Sequence, residues 1–425
     1  MKRRLAAAAV LGLSVSLALA ACSSSSSKPS SSSGGGSSSG AATIKLVAAD
    51  YGSGASDTSQ TYWQGVADAF HKANPNITVQ VQTIDWNDLS SKVQTMIQNK
   101  QYPDVLEGLT YAQYVQDGIA YKASDVLDAA TLANINPIFA KAGQVNGTEY
   151  GIPWTTSSRA FFYNKKLFAQ AGITTAPTTW DQLKADALLI QQKTGKIGFG
   201  LPLGSEEAQA ESLLWFLGNG GGLTDASGKY DLNSAQNIAT YTYLKGLVQA
   251  GATEPNPATK NRTDLWQQFA QGNIGMINGS PALIPIIQKA GLLKDTDYGV
   301  VAVPGKSAPL TSTVGVADYV VALNNNNHQA AIKAFLDYAY SDANQLKFDN
   351  EYDLLPATSS ATTSMASNKQ FTGFVQNLNT ATLYPSSLAN WSTVLTAIQK
   401  QIGTAVTGDP KTVLGQLQQT ATAGQ

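Results

Sequence analysis

The sequence predicts an α/β protein built as two lobes and carried on an exported, tethered N-terminus. Three observations predict it. Strand-like apolar runs alternate with amphipathic helical patterns; about 380 residues follow the last low-complexity stretch, more than one hydrophobic core usually serves; and a charge-free apolar run and a Ser/Gly-rich segment precede that body.

Lys2, Arg3 and Arg4 stand before an apolar run from Leu5 to Ala21. A membrane-spanning helix needs roughly 20 apolar residues, and this Ala-rich run with Ser and Gly breaks is short and weakly apolar, so residues 1–21 read as a secretion signal. The run ends in Leu19-Ala20-Ala21-Cys22, which resembles a bacterial lipobox. Cys22, the only cysteine of the chain, then becomes the first mature residue and carries a lipid; the alternative is an incidental cysteine after an ordinary cleavage site. One acyl chain holds a protein to a membrane only marginally, so anchoring implies two or more. Residues 23–42 are almost all Ser and Gly and cannot bury apolar surface. Together, 22–42 form a lipidated tether spanning on the order of 25 Å.

Loss of the three N-terminal basic residues takes the formal charge from −1 to −4. With no long basic run, nucleic acid is excluded as a partner. Only 13% of residues are charged, while Asn, Gln, Ser, Thr and Tyr abound, a surface suited to neutral polar ligands. Two histidines and one acylated cysteine leave no set for a His/Cys zinc site or a Ser-His-Asp triad. No cofactor, metal or catalytic residue is therefore expected. A secreted glycosidase remains the enzyme alternative, since scattered carboxylates can still meet in a fold.

Ile44-Lys45-Leu46-Val47 and Ile77-Thr78-Val79-Gln80-Val81 read as strands. Between them Trp63, Val66, Ala67 and Phe70 share one helical face, and that helix should stop before Asn74-Pro75, leaving His71 at the surface. Thr179-Trp180-Asp181-Gln182 matches a capping box opening a helix that runs to about Lys193. Leu213 to Phe216 reads as a buried helix, and Ile332, Phe335, Leu336 and Ala339 mark another after the loop Asn324–Asn327, with His328 at its start. No fixed-period repeat is present.

Gly151-Ile152-Pro153-Trp154 through Ala160-Phe161-Phe162-Tyr163-Asn164-Lys165-Lys166-Leu167-Phe168 resembles the signature of family 1 extracellular solute-binding proteins, to which maltose-binding protein belongs. Further segments resemble the family in the same order: Asn74-Pro75-Asn76-Ile77, Tyr102-Pro103-Asp104-Val105, Pro177 to Asp181, Gly275-Met276-Ile277-Asn278-Gly279, Ala331 to Leu336, and Pro385 with Trp391. The resemblance spans roughly 43–420. Trp154 departs from the aliphatic residue usual there, and Ser280-Pro281 follow Gly279 where sugar-binding relatives often carry tryptophan.

The resemblance implies a periplasmic-binding-protein-like fold with discontinuous lobes and a ligand cleft at the hinge, lobe 1 taking 43–155 plus 312–355 and lobe 2 taking 156–311 plus 356–425. It also implies a monomer that hands a sugar to the membrane permease of an ABC importer by hinge closure and performs no catalysis. A glycerol-phosphate-type ligand is the alternative within that class.

A sugar offers apolar C–H faces and a rim of hydroxyls, so aromatic plates and planar polar groups should line the cleft. By its distance from Pro385, Trp391 resembles a stacking tryptophan of the family, although Leu388, Trp391, Leu395 and Ile398 also form a core-like stripe. Trp154, at the implied first crossover, either faces the cleft or wedges the hinge. Arg159, entering the second lobe, is a ligand clamp or a structural ion pair. Asp50 and Tyr51 follow the opening strand and Glu107 follows Pro103-Asp104-Val105, where α/β sheets place ligands. Asp318 lies inside the apolar segment Val314–Leu323, where an unpaired carboxylate is costly, so it is either satisfied locally or reaches the cleft. Trp215, Glu206 and Glu207 are weaker candidates in the second lobe.

Overall fold

The computed structural model describes residues 41–423 apart from 53–57. The expected signal peptide, Cys22 and the tether up to Gly40 lie outside the described residues.

Strands in chain order are β1 (Ala42–Asp50), β2 (Ile77–Asp85), β3 (Val105–Gly108), β4 (Gln144–Val145), β5 (Thr148–Glu149), β6 (Ile152–Ser158), β7 (Ala160–Asn164), β8 (Ile197–Gly200), β9 (Ile274–Gly279), β10 (Tyr298–Val301), β11 (Gly315–Ala322) and β12 (Leu355–Pro356). Apart from the small β4–β5 hairpin they form two sheets. The larger has the order β12-β6-β11-β3-β1-β2 and the smaller β10-β7-β9-β8. β1 pairs in parallel with β2 and β3, whereas β11 runs antiparallel to both its neighbours.

β1 shows why the sheet forms. Ile44, Leu46 and Ala48 point into one core and Val47 and Ala49 into another, so period-two alternation buries both faces. The Ser59–Ala73 helix lays Trp63, Val66, Ala67 and Phe70 against the first of these cores and ends at Asn74. His71 is exposed, with Nδ1 2.7 Å from the Ile77 carbonyl. The Trp180–Thr194 helix opens on the expected capping box at Thr179 and Gln182 and closes at Gly195, whose φ of 69° is the left-handed conformation that glycine adopts without strain. Thr179→Ala should lower stability by about 1 kcal/mol while Thr179→Ser retains it, as read by thermal unfolding. The Ala208–Leu217 and Gln329–Ala339 helices fall where the apolar stripes put them.

Three chain passes join the sheets, and they lie side by side. Arg159 alone separates β6 from β7. β6 keeps to the large sheet through Ser158, which pairs with Gly315, so the chain leaves that sheet at Arg159 rather than after residue 155. The return pass, 302–314, reaches β11; the last pass leaves β12 for the C-terminal helices. The Arg159 amide donates to the Val314 carbonyl at 3.1 Å, and the Thr313 hydroxyl to the Arg159 carbonyl at 2.8 Å. The Gly315 amide donates to Thr382 at 3.0 Å and the Thr382 amide to Thr313 at 2.8 Å. The Trp391–Gln401 and Pro410–Thr422 helices then pack on the Ala208–Leu217 and Ala235–Gln249 helices, on the small-sheet side.

Candidate functional site

Polar groups from both sheets converge where these passes meet. From the large sheet, Glu107 is fully buried on β3, and its Oε2 accepts the Ala49 amide at 2.9 Å. The Tyr51 hydroxyl contacts Glu107 Oε1 and lies 2.7 Å from Asp318 Oδ2. One phenolic proton cannot satisfy two carboxylates. The arrangement closes if Glu107 is protonated and donates to the Tyr51 oxygen while Tyr51 donates to Asp318. The electrostatics favour that state: burial, then the neighbouring Asp318 charge, push the Glu107 carboxyl up to about 8, and burial lifts Asp318 to about 7 against the Tyr51 hydrogen bond.

From the other side, Arg159 is only 4% exposed; Nη1 donates to Ser157 Oγ at 2.9 Å and Nη2 to Glu207 Oε1. Glu207 Oε2 accepts from Arg262 Nη1 at 2.6 Å, and Arg262 Nη2 donates to Glu206 at 2.8 Å. Glu206 is further fixed by the amide and hydroxyl of Thr263 at 3.0 and 2.6 Å. The Arg262 guanidinium rides over the Trp266 ring at 4.5 Å, one helical turn on. Burial would raise Glu207, but the two arginines outweigh it and hold its carboxyl below the ordinary range. Asp318 feels Glu207, Arg159 and Arg262, which ties the large-sheet group electrostatically to this one.

A confined space lies among Arg159, Glu207, Glu211, Arg262, Trp266 and Asn278. Glu211 accepts from Trp215 Nε1 at 2.8 Å and from Asn278 Nδ2 at 2.9 Å, and burial lifts it to about 7. Asn278 Oδ1 and Arg262 Nε are buried without a hydrogen-bond partner among the described residues.

Of the residues expected at a ligand, Tyr51, Glu107 and Asp318 meet directly, and Arg159, bonded to Ser157 and Glu207, acts on Asp318 through its charge. Asp50 is placed differently: Oδ1 takes the Ser59 amide at 2.8 Å and Oδ2 the Thr58 hydroxyl at 2.6 Å, so it fastens the start of the first helix. Burial opposes its charge, but those donors win and hold its carboxyl low. Trp154 is wholly buried, its ring centroid 4.6 Å from Trp63 and 5.3 Å from Phe348, and Phe348 in turn meets Tyr51 edge-on at 5.1 Å. The tryptophan ring thus supports Tyr51 from behind through Phe348. Trp391 is 1% exposed, packed with Leu395 and Ile398 and stacked on Tyr384 at 5.6 Å. The Tyr384 hydroxyl feels the charges of Glu207, Arg159 and Asp318, so the stripe reading and proximity to the polar centre coexist.

Sequence reasoning missed Arg262, Glu211, Asn278 and Tyr384. An arginine four residues before a tryptophan, at 262 and 266, is the one local signal that was there to find.

Two lobes joined by adjacent crossovers, with polar groups from both converging there, define a solute-binding protein. The chain belongs to the bacterial extracellular solute-binding protein family, whose sequence model matches residues 54–346. That family acts outside the cytoplasm and binds rather than transforms its solutes. A binding protein of Brucella abortus is 28% identical over 321 residues, covering 74% of this chain and 76% of its own. The diacetylchitobiose-binding protein DasA of Streptomyces coelicolor is 28% identical over 288 residues, 66% of each chain. A Thermotoga lettingae ABC-transporter solute-binding protein, solved with α-D-tagatose, shares the fold with a TM-score of 0.77 at 20% identity, covering 90% of this chain and 99% of its own.

Proposed function

We propose that the protein captures a sugar between its lobes and delivers it to the permease of an ABC importer. The observation that carries this is the meeting of Tyr51, Glu107 and Asp318 with Arg159, Glu207 and Arg262 at the crossovers, beside the stacked Tyr384 and Trp391. Carboxylates and guanidinium groups are the hydrogen-bonding partners that ligand hydroxyls need, and flat rings suit sugar C–H faces. The diacetylchitobiose and tagatose ligands of its relatives support the reading.

Ligand contacting both lobes favours the closed state, so binding shifts a pre-existing equilibrium. In this reading the lobes are 43–155 plus 312–355 and 156–311 plus 356–425, adjusted to cross at Arg159. The mature protein is a monomer held to the outer face of the membrane by lipid on Cys22 and the Ser/Gly tether.

A thermal-shift panel of sugars tests the capture: a true ligand at a hundred times its dissociation constant adds about 2.7 kcal/mol of stability. Small-angle scattering with that ligand should show a smaller radius of gyration, and an unchanged radius at saturation argues against closure. Hydrolysis of chromogenic glycosides by the purified protein would replace the proposal with an enzymatic one. Mass spectrometry of the mature N-terminus checks the anchor, and an unmodified Cys22 refutes it.

A further inference from the structure

Trp86 is the one tryptophan that the fold does not bury. The other six of the seven are each at most 4% exposed, whereas Trp86 is only half-buried. It opens the Trp86–Gln98 helix directly after β2 and packs in part on the core that holds Leu89 and Val93. Core packing explains the covered part of the ring and leaves the rest without a partner in the fold.

The sheet sets this ring in line with the polar group already described. β1 and β2 run parallel in full register and end together at Asp50 and Asp85, so Tyr51 and Trp86 are the next residues of adjacent strands. Glu107 belongs to β3, on the other side of β1, and Asp318 lies one residue beyond the Tyr319–Gly108 pair of β11 with β3. The strand order β11-β3-β1-β2 therefore places Asp318, Glu107, Tyr51 and Trp86 one after another along one edge of the sheet. With neighbouring strands about 4.8 Å apart, that row extends over roughly 14 Å. For the parallel strands it is the carboxyl-terminal edge, where α/β sheets hold ligands.

Tyr51 belongs to both halves of the row. Its hydroxyl meets Glu107 and Asp318, and its ring meets Trp86 at 5.4 Å with the two planes perpendicular. A perpendicular contact sets at most one face of the indole against Tyr51 and leaves the other to a flat apolar partner. Half-buried Tyr352 brings a further ring to Tyr51 at 5.9 Å. One end of the row thus offers carboxyls for hydroxyl groups and the other an aromatic plate for C–H faces, one strand step apart.

We propose that Trp86 is a second sugar-stacking position beside the Tyr51, Glu107 and Asp318 group, and that the solute is an oligosaccharide: one unit meets the carboxyls and the next lies on the indole. This rests on the sugar-capture reading above and narrows its ligand class to chains of two units or more.

Titration calorimetry of the full mature chain with two 1,4-linked series tests it: N-acetylglucosamine to triacetylchitotriose, and glucose to maltotriose, with α-D-tagatose as a separate monosaccharide. In a series that binds, the di- or trisaccharide should bind at least about tenfold tighter than the single unit, the gain from one further ring leaving water. A hit from the thermal-shift panel outside these series is compared with its own single unit in the same way. Trp86→Ala should move the ratio toward one and Trp86→Phe should restore most of it. A merely structural role would weaken single units and chains alike and would show in thermal unfolding without ligand. Tryptophan emission gives a second readout: the trisaccharide should shift it in the parent and not in Trp86→Phe. A single unit binding as tightly as any chain overturns the inference and leaves sugar capture standing, as does a preference for chains that survives Trp86→Ala undiminished. No response to any sugar sinks both readings.

Discussion

Arg159→Ala should destabilise the protein by about 3–5 kcal/mol, the usual consequence of stripping one partner from a buried ion pair. The guanidinium is 4% exposed, and its loss leaves Glu207 with only Arg262 in a setting where burial already disfavours its charge. Because Arg159 is also the single residue between the two sheets, its side chain anchors the first crossover through Ser157 and Glu207. Denaturant unfolding measures the loss. The double variant Arg159→Met with Glu207→Gln should recover most of it, since no unpaired charge remains, yet still fail to bind ligand. A single variant as stable as the parent would show that the pair contributes nothing to the fold.

The ligand-free protein should also lose stability as the pH rises from about 5 to 8. Glu107 and Glu254 are lifted to about 8 and Asp318 and Glu211 to about 7, in each case by burial first. A carboxyl raised in the folded state binds more protons there than in the unfolded chain, so its share of stability is complete below its ordinary range near 4.5. That share is lost as the pH climbs through the folded value. One unit of difference is worth about 1.4 kcal/mol, so Glu107 alone, at partial expression, accounts for roughly 3 kcal/mol over that span. Glu207 has the opposite sign. Its lowered value stabilises above the ordinary carboxylate range and is lost only as the pH falls below it. Unfolding midpoints at pH 5 and pH 8 check the slope, and Glu107→Gln should flatten it; equal midpoints would mean these carboxyls are not perturbed.

The body of the fold was legible wherever a single period or cap decided the matter. β1, β2 and the helices at 59–73, 180–194 and 329–339 follow from alternation, from the stripe at Trp63, Val66 and Phe70, and from the Thr179 hydroxyl. Strand ends likewise pointed to Tyr51 and Glu107. What stayed hidden depends on long-range pairing. Arg262 reaches Glu207 from 55 positions away, and its one local signal, Trp266 four residues on, does not say which carboxylate it meets. Trp154 illustrates a second limit: all seven residues of β6 are buried, so alternation cannot say which side a ring occupies. Asp318 combined the two, being conspicuous in its apolar run while its partner Tyr51 lies 267 positions earlier.

The position of β11 bears on when the chain can fold during its synthesis. It sits in the interior of the large sheet, between β6 and β3, yet its first residue is Gly315. Until the ribosome has passed that point, β3 and β6 have no strand between them and the N-terminal half cannot complete its core. The large sheet is thereby kept open until residues 315–322 have been made. A rearrangement of the gene that placed β11 beside β3 in sequence should let the large sheet close sooner after synthesis.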